Sequence, residues 1–267
     1  MKKFTSKEIV DIALKCGASL AGVANVEDLK KAPAFTVVSK MPEYNGVGTY
    51  MRGKDDSFLT GVVWPEGIRS VVVLAYHHPV DDPKMDYWVE GVNNTIGNKE
   101  IIEVGKKFKA VMLDAGIDTY SFNYHIEKGG IFLKDSSVVA GLGCIGKNNL
   151  LVTPEYGSHV RLRAIGLSLD LPSDGPSGYD PCSSCEIKCW EKCAKSAFAK
   201  KIYFEEKLGR RELPGRIGNF DRTLCNIEMK ENEANMEPME VSKLTPNGPE
   251  NTIKYCRICE YSCPIGK

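Results

Sequence analysis

The sequence lacks two features that mark other classes of protein, an excess of basic residues and a long apolar run. Its 35 Lys and Arg balance 35 Asp and Glu, so the formal net charge is zero. A protein that binds nucleic acid through many phosphates usually carries a basic excess, and the composition therefore predicts no such binding. The longest apolar run, residues 71–76, is far too short to cross a bilayer, which predicts no contact with a membrane.

A secretion signal is also missing. Lys2 and Lys3 are followed by no continuous apolar segment, so these residues do not begin a signal peptide. We therefore predict a cytoplasmic protein, in a compartment where thiols stay reduced. Ten cysteines in that setting favour metal binding or redox chemistry over disulfides.

Residues 1–172 carry alternating helical and strand patterns. Thr5 and Glu8 predict a capped first helix, and Asn98 is the predicted cap of a second, long helix. Strands are predicted at residues 20–24, 70–76 and 159–171. Gly166 interrupts the alternation of the last of these strands, which predicts a bulge. The fold class is therefore α+β, with a mixed α/β domain over residues 1–172.

The composition changes after residue 172. Residues 172–181 are rich in Pro, Gly, Ser and Asp, which predicts a linker, and eight of the ten cysteines follow it. The polar stretch between Cys225 and Cys256 has few large apolar residues, so we expect it to build no core of its own. We therefore predict a second, small domain at residues 173–267, held together by its cysteines.

Those eight cysteines form two groups with the spacing of iron–sulfur ligands. One runs C-x2-C-x3-C-x3-C from residue 182, and the other runs C-x2-C-x3-C-P from residue 256, with Cys225 upstream. In two-cluster ferredoxins the last cysteine of each run ligates the other cluster. This rule gives two complete sets with no cysteine left over, and so predicts two [4Fe–4S] clusters. The first set is Cys182, Cys185, Cys189 and Cys263, and the second set is Cys193, Cys225, Cys256 and Cys259.

Zinc is the alternative occupant, because C-x2-C pairs also bind Zn²⁺. The C-x3-C-P ending favours an iron–sulfur cluster instead. The pattern departs from that of ferredoxins at two places. Three residues separate Cys185 from Cys189 where ferredoxins have two, and Ala194 rather than proline follows Cys193.

A glycine loop precedes the cysteines. Gly141, Gly143 and Gly146 match G-x-G-x-x-G, but the KDSSVVA before them is a poor strand, so a dinucleotide site of the Rossmann type is not predicted. A loop through which backbone approaches another large cofactor stays open as an interpretation.

Three segments and the cysteine pattern together resemble the epoxyqueuosine reductases, which are corrinoid and iron–sulfur enzymes distantly related to reductive dehalogenases. The segments are AGLGCIGKNNLLVTPEYGSHVRL, ASLAGVA and SVVVLAYHHP. The resemblance covers nearly the whole chain. It implies a nitroreductase-like, cobalamin-binding α/β domain followed by a ferredoxin-like domain with two [4Fe–4S] clusters.

The resemblance also implies a function. The clusters would take electrons from an external donor such as ferredoxin or flavodoxin and reduce the cobalamin, which would act on a small-molecule or corrinoid substrate. Residues 141–147 would then lie against the corrinoid. The implied cofactor contacts are Gly141, Gly143, Cys144, Gly146, Lys147 and, at the end of a strand, His77. Cys144 stands where the family has Trp, and a small buried residue is the other interpretation of it; His77 is equally well explained as a simple strand-end histidine.

Two departures from the family bear on the substrate. The helical-repeat domain that follows the cysteines in family members acting on tRNA is not found here, so tRNA is predicted to be an unlikely substrate. The acidic proton donor of the family lies in a V-D-S-A-P segment, and the matching position here is Glu127, with Tyr124 and His125 beside it as candidate catalytic residues. The rival function is a non-catalytic electron carrier that reduces a corrinoid protein, and a third is a zinc-stabilised binding module.

Overall fold

The computed structural model describes residues 3–41, 46–47, 49 and 62–266. Its strands are β1 Leu20–Asn25, β2 Ser70–His77, β3 Trp88–Val89, β4 Thr119–Ser121, β5 Cys144–Ile145, β6 Leu151–Val152, β7 Val160–Leu167, β8 Glu237–Met239 and β9 Glu250–Ile253. Its helices are α1 Ser6–Lys15, α2 Val26–Leu29, α3 Pro33–Val37, α4 Ile96–Asp114, α5 Leu133–Val139, α6 Lys188–Glu191, α7 Glu205–Leu208, α8 Arg222–Ala234 and α9 Ile258–Tyr261. No helix among these is long and apolar enough to span a membrane.

An antiparallel sheet in the order β1-β2-β7-β4 forms the centre of the fold. Successive side chains of β2 point to opposite faces of the sheet, and those of its first six residues are all buried. Both faces of the sheet are therefore covered. Helices α1 and α4 cover the face that carries Val72 and Leu74, and α5 with the glycine loop covers the face that carries Val71 and Val73. This layered arrangement confirms the predicted α+β class.

Of the two predicted helix N-caps, the cap of α1 is confirmed and the cap of α4 is wrong. Thr5 and Glu8 make the capping box at α1, with the Thr5 hydroxyl accepting from the Glu8 N–H. The predicted cap Asn98 is wrong, because Thr95 caps α4 and accepts a hydrogen bond from the Asn98 N–H at 3.1 Å. Thr and Asn both favour cap positions, and the three-residue displacement places Asn98 inside the first turn.

The predicted bulge at Gly166 is also wrong. The pairing of β2 with β7 runs without interruption from Ser70 opposite Leu167 to His77 opposite Val160. A Cβ at position 166 would lie 2.8 Å from Ile68 Cγ2, so the glycine makes room for a packed side chain.

The predicted linker binds the edge of the sheet. Asp174 pairs with Val23 in both directions, since its N–H donates to the Val23 carbonyl and its carboxylate accepts from the Val23 N–H at 2.7 Å. The Asn25 N–H donates to the Ser173 hydroxyl. These bonds cover the free edge of β1, which would otherwise present unpaired backbone groups.

The stretch between Cys225 and Cys256 does contribute to a core, contrary to the sequence-based expectation. Val241 and Leu244 are buried against Val89 from the first half of the chain, and β9 pairs with both β3 and β8. The expectation failed because the apolar partner lies about 150 residues away in sequence. The domain boundary at residue 172 stays a prediction, and the β3–β9 pairing crosses it.

Candidate functional site

The first set of cysteines surrounds one cavity. Cys182, Cys185, Cys189 and Cys263 all line it, although Cys263 lies more than seventy residues after the others. Three of them are buried, and all four are free thiols. The structure therefore brings together the set that the crossing rule predicts.

Electrostatics identify the same group. Burial, followed by the charges of the other three cysteines of the first set, raises the pKa of the Cys189 thiol to about 11. Because Fe–S clusters bind thiolates, such a thiol must lose its proton when iron binds.

The second set is grouped by its mutual charges as well. Burial raises the pKa of Cys225, followed by the charges of Cys256 and Cys193. Burial likewise raises the pKa of Cys259, followed by the charges of Cys225 and Cys256. All four of its cysteines are partly exposed. The second set is therefore grouped by charge in the same way as the first.

Neighbouring elements fix the second set in place. The Ala197 N–H donates to the Cys193 sulfur at 3.3 Å, and the Cys256 N–H donates to the Asn232 side chain of α8 at 2.7 Å. Hydrogen bonds to ligand sulfurs are one of the means by which proteins set the potential of a cluster.

The donor chemistry and spacing suit cubane clusters. Four thiols of the first set line one cavity. A [4Fe–4S] cluster takes four cysteine thiolates, so the residues present fit that group.

The glycine loop forms a wall of the cavity of the first set. Lys147, Asn148 and Val152 line it together with the cysteines. The Lys147 ammonium donates to the Cys185 carbonyl at 3.4 Å, and the Trp190 indole N–H donates to the Lys147 carbonyl at 2.7 Å. The loop and the first set are therefore direct neighbours.

The glycines of this loop pack against the chain itself. A Cβ at Gly143 would lie 2.1 Å from the Val152 carbonyl oxygen, and one at Gly141 would lie 3.2 Å from the Asp174 carbonyl oxygen. A Cβ at Gly146 would lie 2.6 Å from the Asn148 side chain. Close packing of the β5–β6 hairpin explains Gly143 and Gly146, and close packing against the segment at Asp174 explains Gly141.

Cys144 lies beside the first set. It donates a hydrogen bond to Cys182, which lowers the pKa of Cys182 to about 6 and raises the pKa of Cys144 itself. The sequence-based alternative of a small buried residue is incomplete, because Cys144 is half-buried and touches a predicted ligand.

The candidate catalytic residues lie on a turn between β4 and α5. Tyr124 is 56% exposed, and its ring meets the His125 ring edge to face at 5.2 Å. Glu127 is half-buried in a single 3-10 turn that ends at Gly129, and no ion pair joins its carboxylate to the described part of the chain. Their catalytic roles stay predictions.

His77 lies at the end of β2. Its ring stacks on Tyr156 at 4.2 Å, and burial lowers its pKa. The backbone N–H of His77 donates to the Ser19 hydroxyl. The Tyr156 loop packs against the residues that follow Cys263, so His77 supports the C-terminal end of the chain.

Sequence reasoning missed a buried ionic network next to the second set. Asp86 accepts hydrogen bonds from His78 at 2.7 Å and from Arg161, and it forms an ion pair with Arg257, which stands between Cys256 and Cys259. The network continues to Glu260 and His159, whose nearest atoms are 3.2 Å apart. The sequence signal that could have indicated this network is the pair Arg257 and Glu260, which are three residues apart among the cysteines of the last group.

Comparisons with known proteins agree with this arrangement. An epoxyqueuosine reductase from Leadbetterella byssophila is 24% identical over 97% of this chain and 79% of its own length. A crystal structure of epoxyqueuosine reductase with an epoxyqueuosine-modified tRNA-Tyr stem-loop matches 97% of this chain with a TM-score of 0.58 at 17% identity. This chain spans 64% of that structure.

A further likeness extends to a catabolic reductive dehalogenase in complex with 3-bromo-4-hydroxybenzoic acid. It matches 97% of this chain and 31% of its own, with a TM-score of 0.59 at 16% identity. No family model matches the sequence. The chain is therefore similar to the epoxyqueuosine reductases and has the fold that these enzymes share with reductive dehalogenases.

Proposed function

We propose that this chain is an iron–sulfur oxidoreductase of the epoxyqueuosine reductase type that passes electrons to cobalamin. One observation carries the proposal: the four cysteines of the first set line a single cavity together with Lys147, the last residue of the glycine loop. Residues 1–172 would bind the corrinoid and substrate, and residues 173–267 would hold both clusters.

Position relative to the glycine loop gives the order of electron flow. Lys147 at the end of the loop lines the cavity of the first set, and the loop is the segment assigned to the corrinoid. We therefore assign delivery of electrons to the first set and their entry to the second set. The Asn148 amide lies between the two, within 3.5 Å of the Cys259 carbonyl and at the wall of the cavity of the first set.

The residues assigned to the corrinoid are those of the loop, Cys144 and Lys147 foremost. Bound cobalamin would supply a cobalt ion that takes up single electrons and delivers them to an organic substrate. The protein contributes position, because a redox group held by the loop would be next to the first set. Lys147 would also add a positive charge there.

Glu127 is the proposed proton donor. Its half-buried carboxylate could hold a proton and release it to a reduced substrate, with Tyr124 and His125 as polar neighbours. The position before the glycine loop, matched to the acidic residue of the family, supports this assignment.

The expectation that tRNA is not a substrate finds no support in the comparisons. The relatives reported above carry the name epoxyqueuosine reductase, and one was crystallised with a modified tRNA stem-loop. An epoxyqueuosine-bearing stem-loop therefore belongs in the assay together with small organic substrates.

Anaerobic reconstitution tests the proposal. We expect about eight iron and eight sulfide per chain, the content of two [4Fe–4S] clusters. Cobalamin titrated into the same sample should change its visible spectrum and co-elute on gel filtration. Stoichiometric zinc without sulfide would contradict the cluster assignment.

The same sample distinguishes the proposed reductase from the rival function, a non-catalytic electron carrier. Clusters that form and take up electrons, with no spectral change and no retention of cobalamin, would leave an electron carrier. In that case residues 1–172 would dock a corrinoid protein rather than bind the corrinoid.

A further inference from the structure

Positive charge is concentrated in one segment of this neutral chain. Residues 188–222 contain ten Lys or Arg and five Asp or Glu, a net charge of +5 that the rest of the chain offsets. The segment begins among the cysteines of the first group and ends at the start of α8. It therefore contains Cys193 of the second set.

Four of these ten cations have a carboxylate partner. Lys195 pairs with Glu231 at 2.6 Å, and Arg210 pairs with Glu212 at 2.9 Å. Arg216 and Lys188 also lie near acids. Within the described ranges, five exposed cations form no ion pair: Lys192, Lys200, Lys201, Lys207 and Arg211.

An exposed aromatic ring lies among them. Phe204 is 40% exposed, with the Lys201 and Lys207 ammonium groups 5.6 Å and 5.9 Å from its ring centre. We name Lys200, Lys201, Phe204 and Lys207 the basic patch. Aromatic side chains are enriched at protein interfaces, and exposed lysines around such a ring attract a partner of opposite charge.

The basic patch is joined to the second set by short backbone links. The Tyr203 N–H donates to the Gly218 carbonyl at 3.0 Å, and the Asp221 N–H donates to the Ala197 carbonyl at 2.7 Å. The Ala197 N–H in turn donates to the Cys193 sulfur. The patch therefore belongs to the structural unit that holds the electron-entry cluster.

We propose that the basic patch is the docking surface for a small acidic ferredoxin that reduces the second set. This rests on the proposed function, which requires electrons to enter there one at a time. Opposite charge steers such an encounter and raises its rate, typically by 10- to 1,000-fold at low salt. The location beside the entry cluster favours a redox protein over RNA as the partner.

The test uses a triple variant and a matched control. Lys200→Gln, Lys201→Gln and Lys207→Gln together remove three exposed charges from the patch. Lys7→Gln, Lys15→Gln and Lys107→Gln remove three exposed charges from α1 and α4. The holoproteins are mixed in a stopped-flow instrument with reduced acidic ferredoxin, and the bleaching of their clusters is followed at several salt concentrations.

We expect the patch variant to be reduced at least tenfold more slowly than the wild type at low salt and to lose most of its salt dependence. The control variant should react like the wild type, and titanium(III) citrate should reduce all three proteins equally. Equal ferredoxin rates in patch and control variants would overturn the proposal. So would wild-type clusters that titanium(III) reduces but ferredoxin does not.

A second outcome would reassign the surface. If the patch variant keeps its ferredoxin rate but loses binding of a tRNA stem-loop, the patch serves RNA and the docking proposal is wrong. Failure of the proposed function is seen separately, because cluster bleaching does not depend on cobalamin.

Discussion

At the scale of single residues, the cysteines differ in what surrounds them. Cys182 and Cys189 face the cavity of the first set, whereas Cys16 packs against the main core on α1. Cys144 touches Cys182 without belonging to either complete set. We therefore expect replacement to have different effects on the predicted ligands, on the core residue Cys16 and on Cys144.

Replacement of Cys189 by Ser should remove one ligand of the first set and lower the iron content from about eight to about four per chain. Cys16→Ser should keep about eight iron. Iron and sulfide analysis after anaerobic reconstitution measures both. An unchanged iron content in the Cys189 variant would show that the extra residue before it excludes this cysteine from the cluster.

Cys144→Ser tests whether contact with Cys182 amounts to ligation. We expect full iron content, because the first set is complete without Cys144. A loss of about four iron would make Cys144 a ligand in place of Cys189.

His78 should make the protein less stable in acid. Burial lowers its pKa to about 3 from an ordinary value of 6.5, so the unfolded chain binds a proton that the folded chain refuses. Its contribution to the free energy of unfolding is complete above pH 6.5 and is lost as the pH falls towards 3. The loss between pH 6.5 and 5.5 is about 1 kcal/mol. Denaturant unfolding of the wild type and of His78→Gln at both pH values measures the difference. The prediction is wrong if the free energy of unfolding changes equally with pH in the wild type and in His78→Gln.

At the scale of elements, α4 reaches the ionic network through its first turn. The chain at Gly97 passes so close to the His78 ring that a Cβ there would lie 2.0 Å from His78 Cε1. Gly105, two turns later, faces Ile165 Cδ1 at an ordinary 3.5 Å. One helix thus contains a glycine that packing requires and another that it tolerates.

Gly97→Ala should therefore destabilise the protein by about 1–3 kcal/mol, the usual cost of overpacking a buried site. Gly105→Ala should be neutral or stabilise it by up to about 1 kcal/mol, because alanine favours the helix. Thermal and denaturant unfolding measure both variants. Equal stabilities would show that the His78 ring moves aside without cost.

At the scale of the whole molecule, Asp86 connects the central sheet to the second set of cysteines. It accepts from His78 at the end of β2 and from Arg161 on β7, and it pairs with Arg257 in the last cysteine group. These partners span nearly 180 residues of sequence. The network fixes the cluster segment against the sheet.

Asp86→Ala should leave two guanidinium groups near this site without their carboxylate. Loss of one partner of a buried ion pair typically costs about 3–5 kcal/mol. We expect a lower unfolding midpoint and faster loss of iron from the second set, followed by iron release to a chelator. Asp81→Ala, at an exposed site five residues away, is the control and should behave like the wild type.

Much of the architecture was predictable because it depends on local patterns. The capping box at α1 and the strands β1, β2 and β7 follow from spacing of a few residues, and the meeting of the first set at one cavity follows from a counting rule. The cap of α4 and the bulge at Gly166 were wrong, because the choice between neighbouring polar residues and the use of a glycine depend on packing partners.

The sequence by itself determined the spacing of the cysteines and the order of the motifs on which the resemblance depends, since both are properties of the chain. Only the tertiary structure decided that the first set lines one cavity, that Lys147 of the glycine loop stands at its wall, and that Asp86 is the centre of an ionic network. Burial and ion pairing join side chains from distant elements, and neither leaves a periodic mark in the sequence.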